Sequence, residues 1–142
     1  MAEGKFSDLS AVLQKLVTLA IKTKDAAYCP YSNFRVGAAV LCEDGSLQSG
    51  CNVENASYGL TICAERVAVT KACSEGHRKF KAIAVAADIA GKYVGPCGAC
   101  RQVCIEFGSD WDMYLVDPES LNWKLVKVGA LLPFGFKPED LE

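Results

Sequence analysis

Apolar and polar residues follow the period of an amphipathic helix near the start of the chain. Between residues 8 and 28 the apolar side chains recur three and four positions apart, and Ser7 stands before them as the expected N-cap. The pattern predicts a helix that packs one face against a core. It ends at the segment YCPYSNF, because Pro30 keeps the preceding residue away from helical angles.

The pattern then changes from helical to strand-like spacing and back. Residues 34–55 contain two short apolar segments joined by Asp44-Gly45, a pair typical of tight hairpin turns. Residues 63–76 return to helical spacing, and Gly76 is placed where a helix needs a C-terminal cap. We therefore predict a β-hairpin followed by a second helix.

The second half of the chain alternates strands with one more helix. Residues 80–88 form an apolar run typical of a central strand, and residues 96–108 predict a helix that stops at glycine. Residues 112–117 and 123–128 read as further strands. This order predicts an α/β fold with three layers, α/β/α, around a mixed sheet of about five strands. Without a repeat or linker, residues 1–142 are expected to form a single domain.

Composition and charge limit the partners and the cellular location expected for this protein. The chain has 142 residues and a net charge of -2, and its 15 lysines and arginines are scattered rather than clustered. A protein that binds the phosphate backbone of nucleic acid would carry a basic stripe, so nucleic acid is not the expected partner. No signal peptide opens the sequence and no apolar run is long enough to cross a membrane. A cytoplasmic location without membrane contact is expected.

Eight cysteines require an explanation in such a chain. They are Cys29, Cys42, Cys51, Cys63, Cys73, Cys97, Cys100 and Cys104. A disulfide framework is disfavoured, because a reducing compartment would not keep it and a domain of this size does not need it. Most of the eight are expected to be buried small side chains.

The segment GPCGAC places Cys97 and Cys100 in the first turn of the third predicted helix. Cys104 lies on the same stripe but roughly 10 Å further along the axis, whereas the sulfur ligands of one zinc ion lie within roughly 4 Å of each other. The pair fits two interpretations at this point. It could hold a metal, with thiolates stabilised by the helix N-terminus, or it could form a redox-active dithiol.

A metal site needs a third ligand, and Cys63 is the candidate. It stands near the start of the second predicted helix, so two helix N-termini could face one ion. His77 lies in a charged turn and is expected at the surface, and Cys73 is about 15 Å along the helix from Cys63. Three ligands and an open position are typical of catalytic zinc. Glu65 could act there as a proton carrier, or simply as a favourable acidic residue in a first turn; its spacing favours neither.

Several motifs carry a resemblance to a known family. CAE at 63–65 followed by PCGAC at 96–100 resembles the zinc nucleoside and nucleobase deaminases. YSNFRVGAAV at 31–40, NVENASYG at 52–59 and LLPFGF at 131–136 extend the likeness to the small homotetrameric cytidine deaminases. Together with ICAERVAV and GPCGACRQV, these motifs span nearly the whole chain in the order that the family has.

The resemblance implies an enzyme with one zinc ion per subunit, held by Cys63, Cys97 and Cys100. It implies hydrolytic deamination of free cytidine and deoxycytidine to uridine and deoxyuridine, a reaction of pyrimidine salvage, through a zinc-bound hydroxide that attacks C4. Glu65 would carry the proton from water to the base and then to the leaving ammonia. Arg66 would offset the charge of the three thiolates.

The same resemblance assigns the substrate contacts. Asn52 and Glu54 would bind the ribose 3'-hydroxyl, and Phe34 would pack against the base or sugar. The backbone of Ala64 and the carbonyl of Cys97 would read the pyrimidine edge. A free carboxylate at position 54 would repel the 3'-phosphate of an internal nucleotide, which argues against a polynucleotide substrate.

The family pattern also implies a homotetramer whose active sites are shared between subunits. Phe136 of a neighbouring subunit would stack on the base, although Phe134 is a second aromatic in the same C-terminal tail, residues 131–142. Ala56 and Tyr58 would approach the 5'-hydroxyl from an adjacent subunit. Two alternatives share the zinc ligands: a deaminase of polynucleotides or of a modified nucleoside, and a protein that uses zinc only to hold its fold.

Overall fold

A six-stranded sheet forms the centre of the molecule, with strand order β1-β6-β5-β4-β2-β3. The computed structural model describes all residues from 1 to 142. The strands are β1 (Ala2–Gly4), β2 (Val36–Cys42), β3 (Leu47–Cys51), β4 (Phe80–Ala87), β5 (Asp112–Val116) and β6 (Trp123–Lys127). The helices are α1 (Ala11–Lys24), α2 (Ala64–Ser74) and α3 (Gly98–Ile105), and none has the length and apolarity needed to span a membrane.

The sheet is mixed, as the sequence predicts. Strands β4 and β5 run parallel, with Ala84 opposite Tyr114, and every other neighbouring pair is antiparallel. The α/β class is confirmed, but the sheet has six strands rather than about five. Strand β1 is the addition: its three residues lie at the sheet edge beside β6, two of them are exposed, and they show no alternation that would reveal a strand.

Alternate residues of the central strands enter two separate cores. In β2, Ala38 and Val40 point into a cluster shared with α2 and α3, whereas Ala39 and Leu41 point into a cluster shared with α1. The sheet is therefore buried on both faces and covered by helices on both. This arrangement confirms the predicted three layers.

Two glycines allow the helices to approach the sheet closely. A Cβ atom at Gly37 would lie 2.1 Å from the carbonyl oxygen of Ala20 in α1, and one at Gly50 would lie 2.4 Å from the amide nitrogen of Ala68 in α2. Neither contact leaves room for a side chain. Each glycine thus sets how deeply one helix sits on its face of the sheet.

Helix α1 is shorter than the predicted span of 8–28. Its N-cap is Ser10 rather than Ser7, because Phe6–Asp8 forms a separate 3₁₀ turn in which the Asp8 carboxylate accepts the amide of Lys5 at 2.9 Å. The helix ends at Lys24, and Asp25 is its C-cap. The pattern of apolar residues identified the element correctly and overestimated its length.

The remaining predicted elements are present. The hairpin between β2 and β3 turns at Gly45 with φ 91°, and α2 is followed by Gly76 with φ 99°. Both angles lie in the left-handed region that favours glycine. Helix α3 ends at Ile105, three residues before Gly108, because Phe107 and Gly108 donate short-range turn hydrogen bonds instead.

Asp88, at the end of β4, ties three elements together. Its carboxylate accepts the Lys24 ammonium at the end of α1 and the Arg35 guanidinium at 2.7 Å, just before β2. The hydrogen bond from Arg35 is the main reason that the pKa of Asp88 is lowered to about 2, with Lys24 contributing further. This ion-pair network fixes the backbone on either side of Arg35, where Phe34 and Val36 line the cavity described below.

Candidate active site

Three thiols converge where two helices begin. Cys63 is the N-cap of α2 and Cys97 is the N-cap of α3, and both have extended backbone angles. The Sγ atom of Cys97 lies 3.8 Å from that of Cys63 and 3.5 Å from that of Cys100, and all three sulfurs lie within 4.8 Å of one another. The predicted ligand set is therefore brought together. Cys104 is buried further along α3 and lies outside the group.

The geometry of these sulfurs fits a zinc ion. Zinc–sulfur bonds of about 2.3 Å in a tetrahedral site separate two ligand sulfurs by about 3.8 Å, close to the distances found here. The donors are soft thiols, the type that zinc prefers, and Cys97 is exposed whereas Cys100 is buried. An ion on this cluster would have protein on one side and an accessible position on the other.

The surroundings of Cys63 favour the thiolate form of its side chain. Hydrogen bonding from Cys100, together with the Arg66 guanidinium and Cys97, lowers the pKa of Cys63 to about 5. The Nη2 atom of Arg66 donates to the Cys63 sulfur at 3.4 Å. The pKa of Cys100 is raised, first by its hydrogen bond to Cys63 and then by burial. Without a metal, negative charge therefore concentrates on the sulfur that Arg66 contacts.

Glu65 lies beside the thiols in the first turn of α2. Its side chain is only 5% exposed, an unusual environment for a carboxylate. Burial raises the pKa of Glu65, the charge on Cys63 adds to the effect, and Arg66 opposes it. A carboxyl group with a raised pKa can both accept and return a proton near neutral pH.

A cavity of about 300 Å³ opens beside the thiols and Glu65. Its size is at the lower end of the range of small-molecule sites, roughly 300–1,000 Å³. Its walls combine apolar side chains with a few polar groups. The residues that line it are Ser32, Phe34, Val36, Asn52, Glu54, Thr61, Cys63, Ala64, Glu65, Val85, Ala87, Val94, Gly95 and Cys97.

Asn52 and Glu54 are both held in place by nearby groups. The Asn52 amide bridges the backbone of β2, since its Oδ1 accepts the amide of Val36 at 2.9 Å and its Nδ2 donates to the carbonyl of Phe34 at 2.8 Å. The Glu54 carboxylate accepts the hydroxyl of Ser32 and the amides of Tyr31 and Ser32, and the Ser32 hydroxyl is the main reason that its pKa is lowered. An ionised, oriented carboxylate therefore faces the cavity.

Three of the predicted substrate-binding residues lie outside this cavity. Ala56 is exposed, Tyr58 is 74% exposed and packs its ring 5.7 Å from that of Tyr31, and Phe136 is 58% exposed on the C-terminal tail. Phe34, Ala64 and the other predicted contacts do line it. That these three residues act in a neighbouring subunit stays a prediction.

The sequence did not single out the residues that fasten the tail to the thiol-bearing helix. Arg101 donates to the carbonyl of Pro96 at 2.9 Å and to that of Leu131 at 3.0 Å, and Gln102 donates to the carbonyl of Phe136 at 2.9 Å. Their position directly after the second cysteine of PCGAC was the available signal. The tail is thereby joined to α3 near the candidate metal ligands.

Comparison with known families identifies this arrangement. The family model described as the cytidine and deoxycytidylate deaminase zinc-binding region matches residues 10–115. The chain belongs to this family. Membership decides between the two interpretations of GPCGAC: in this deaminase family the cysteine pair belongs to a zinc-binding region, and the three thiols have the geometry that zinc requires.

Several relatives match over most of their length. A probable cytidine deaminase of Dictyostelium discoideum is 50% identical over 129 residues, which are 91% of this chain and 86% of that protein. A cytidine deaminase of Sporosarcina psychrophila is 48% identical over 130 residues, covering 91% of this chain and 94% of that protein. The crystal structure of cytidine deaminase from Burkholderia pseudomallei has a TM-score of 0.83 and 43% identity, and the match covers 90% and 100% of the two chains.

Substitution of Arg66 by alanine is expected to leave the fold intact and to weaken zinc retention by roughly 10–100-fold, the usual cost of removing a group that hydrogen-bonds a metal ligand. The reason is the lost hydrogen bond to the Cys63 sulfur. Zinc affinity can be measured by competition with a chromophoric chelator, with circular dichroism as the check on folding. Lys71→Ala, on the same helix but directed at the carbonyl of Ser49, is the matched control. Equal zinc affinity in both variants would exclude the assigned role of Arg66.

Proposed function

We propose that this protein hydrolyses free cytidine and deoxycytidine to uridine and deoxyuridine and releases ammonia, as a step of pyrimidine salvage. The observation that carries the proposal is the buried carboxyl group of Glu65 beside three convergent thiols at the end of a small cavity. Relatives called cytidine deaminase, at 48% and 50% identity, support the same reaction. We further propose that residues 1–142 act as one deaminase domain.

Cys63, Cys97 and Cys100 would hold the zinc ion, which supplies a Lewis acid that makes water a nucleophile near neutral pH. Glu65 is placed to do the proton chemistry. It takes a proton from the attacking water and gives it to N3 of the cytosine ring, which withdraws electrons from C4. The oxygen of the water bonds to C4, and the same carboxylate then takes the remaining proton of that hydroxyl group and gives it to the amino group, so that the C4–N bond breaks and ammonia leaves behind a C4 carbonyl. Burial suits Glu65 to both steps, because it raises the pKa of the carboxyl group.

The cavity walls support a nucleoside as the substrate. Phe34 offers an aromatic surface for the base or sugar, and the first helical residue Ala64 and Cys97 line the same cavity. We propose that the Ala64 backbone and the Cys97 carbonyl read the pyrimidine edge. Asn52 retains one amide N–H beyond its bond to Phe34, and Glu54 presents an ionised carboxylate. Both groups suit a ribose 3'-hydroxyl. The carboxylate disfavours a 3'-phosphate, and thus an internal nucleotide of DNA or RNA.

An assay of ammonia release tests the proposed reaction. Zinc-loaded protein is incubated separately with cytidine, with deoxycytidine and with single-stranded DNA that contains the same concentration of cytosine. We expect ammonia from both nucleosides and none from the DNA. Ammonia from DNA alone would support the polynucleotide alternative, and no ammonia from any substrate would leave a zinc-binding protein without this activity.

We also propose that the protein works as a homotetramer in which neighbouring chains complete each active site. Apolar side chains on the tail and on the segment 53–62 are exposed to an extent that is unusual for a monomer. Those exposed most are Phe134 at 109%, Leu141 at 79%, Tyr58 at 74%, Leu60 at 65% and Phe136 at 58%. The eight free thiols suit a reducing compartment, and we propose the cytoplasm.

Phe136→Ala is expected to lower kcat/KM for cytidine by roughly tenfold or more, since stacking on a base contributes about 1–3 kcal/mol. Phe134→Ala is the matched control on the same tail and should change kcat/KM little. Steady-state kinetics across a dilution series, with gel filtration at each concentration, checks both the side chain and the shared site. The opposite ranking of the two variants would assign the base to Phe134, and full activity in a monomer would refute the shared site.

A further inference from the structure

A second group of metal-ligating side chains lies far from the candidate active site. Cys42, Asp44 and His77 each direct a ligand atom into one small region, and these atoms lie within 4.8 Å of one another. Cys42 ends β2, whereas Val36 at the start of that strand lines the active-site cavity. Six residues of strand separate the two places by about 20 Å. The group includes the only histidine of the chain.

The hairpin turn fixes the positions of Cys42 and Asp44. The amide of Cys42 donates to the carbonyl of Ser46 at 2.9 Å, and Gly45 donates back to the carbonyl of Cys42 at 3.0 Å. Asp44 Oδ1 accepts both the amide of Ser46 at 2.9 Å and its hydroxyl at 2.6 Å. These bonds leave Asp44 Oδ2 directed toward His77, at 3.9 Å from Nδ1.

The end of α2 fixes the position of His77. The amide of His77 donates to the carbonyl of Ala72 and the amide of Gly76 donates to that of Cys73, both at 3.0 Å. This pair of hydrogen bonds is the Schellman motif, with Gly76 in the left-handed conformation. The nearby amide of Glu43 donates to the carbonyl of Lys79 at 3.0 Å, which fastens the hairpin to the chain after α2. Both halves of the group are thus held before any ion arrives.

The three donors differ in softness and together suit zinc. A thiol, an imidazole nitrogen and a carboxylate oxygen are its common ligands, with bonds of about 2.0–2.3 Å that place ligand atoms about 3.3–3.8 Å apart. The observed group, whose atoms lie within 4.8 Å of one another, must close by up to about 1.5 Å. The Asp44 side chain is 61% exposed, so it leaves the solvent side open for a fourth ligand.

We propose that Cys42, Asp44 and His77 form a second, weaker site for zinc or a similarly soft divalent cation, which clasps the β2–β3 hairpin to the end of α2. An ordinary thiol is mostly protonated at neutral pH. Binding therefore forms a bond from the ion to the Cys42 sulfur and releases the thiol proton to solvent. The site requires no substrate and is independent of the deaminase activity proposed above.

The zinc content of tag-free protein tests this site. Wild type and His77→Gln are equilibrated with buffered zinc in excess, and zinc per chain is measured by elemental analysis. We expect two equivalents in wild type and one in His77→Gln, with affinity for the second ion weakened by more than roughly 100-fold. Asp44→Asn should also lose the second ion, and Cys100→Ala should keep it while losing the other. Proton release on addition of the second equivalent should disappear with His77→Gln.

Cys73→Ser is the matched control, because it removes a thiol near the same helix end but outside the group. It should keep both ions. Circular dichroism shows whether each variant is folded, and deamination by His77→Gln should equal that of wild type. A single equivalent in wild type, or two equivalents retained in both His77→Gln and Asp44→Asn, would overturn the proposal whether or not the protein deaminates cytidine.

Discussion

Glu65→Gln should reduce ammonia release from cytidine by roughly 10²–10⁴-fold while the protein keeps its zinc, since that is the usual contribution of a positioned proton carrier. Glutamine has nearly the same shape as glutamate but cannot accept or return a proton. The residue is 5% exposed, so an uncharged amide is accommodated there without the cost of burying a charge. Ammonia and bound zinc should be measured on the same samples.

Glu75→Gln provides the control for this change. Glu75 caps the other end of α2 and is exposed, so its loss should leave both activity and zinc content unchanged. If Glu65→Gln and Glu75→Gln retained equal activity, Glu65 could not be the proton carrier. If Glu65→Gln lost its zinc, the carboxylate would be needed to hold the ion instead.

Cys100→Ala should lower the zinc content of the active site to near zero and abolish deamination with it. The sulfur of Cys100 is buried and completes the three-thiol group, and two remaining ligands do not make a stable zinc site. Cys104→Ala is the closest control, because it removes a buried sulfur from the same helix without touching the group. Elemental analysis and the cytidine assay compare the two variants, which lose similar packing.

Comparison of Cys100→Ala with Cys104→Ala distinguishes the loss of a zinc ligand from the loss of a packed side chain. Zinc retained by Cys100→Ala, or lost equally by Cys104→Ala, would contradict the assignment of ligands. The second zinc site does not confuse this comparison, because His77→Gln can be combined with each substitution.

Periodicity and spacing were sufficient to predict much of the fold and the three thiols that converge. Helix α2 buries apolar residues at helical spacing and the central strand β4 is a nearly continuous apolar run, so their positions follow from the sequence. These thiols could be singled out as candidate ligands because thiolates, helix starts and zinc–sulfur distances constrain one another. Cys63 and Cys97 are indeed both N-caps.

Other features depend on contacts that no local pattern encodes. Strand β1 exists only because β6 offers it an edge, with Gly4 opposite Trp123. Asn52 matches the family as a sugar-binding residue, but its bonds to the backbone at Phe34 and Val36 are visible only once β2 is folded beside it. The ion pairs of Asp88 with Lys24 and Arg35 likewise join residues that are distant in sequence, and they are visible only in the folded chain.

The placement of the thiols on two helices has a consequence for the life of the protein in a cell. Cys63 and Cys97 are 34 positions apart, so an ion held by both would join α2 to α3 across the chain that separates them. Any ligand that binds only the folded state stabilises it, by about 4 kcal/mol when its free concentration is a thousand times its dissociation constant. Zinc starvation should therefore lower the amount of the protein in the cell, because the less stable zinc-free chain is degraded by proteases. This loss would add to the loss of activity in the chains that remain.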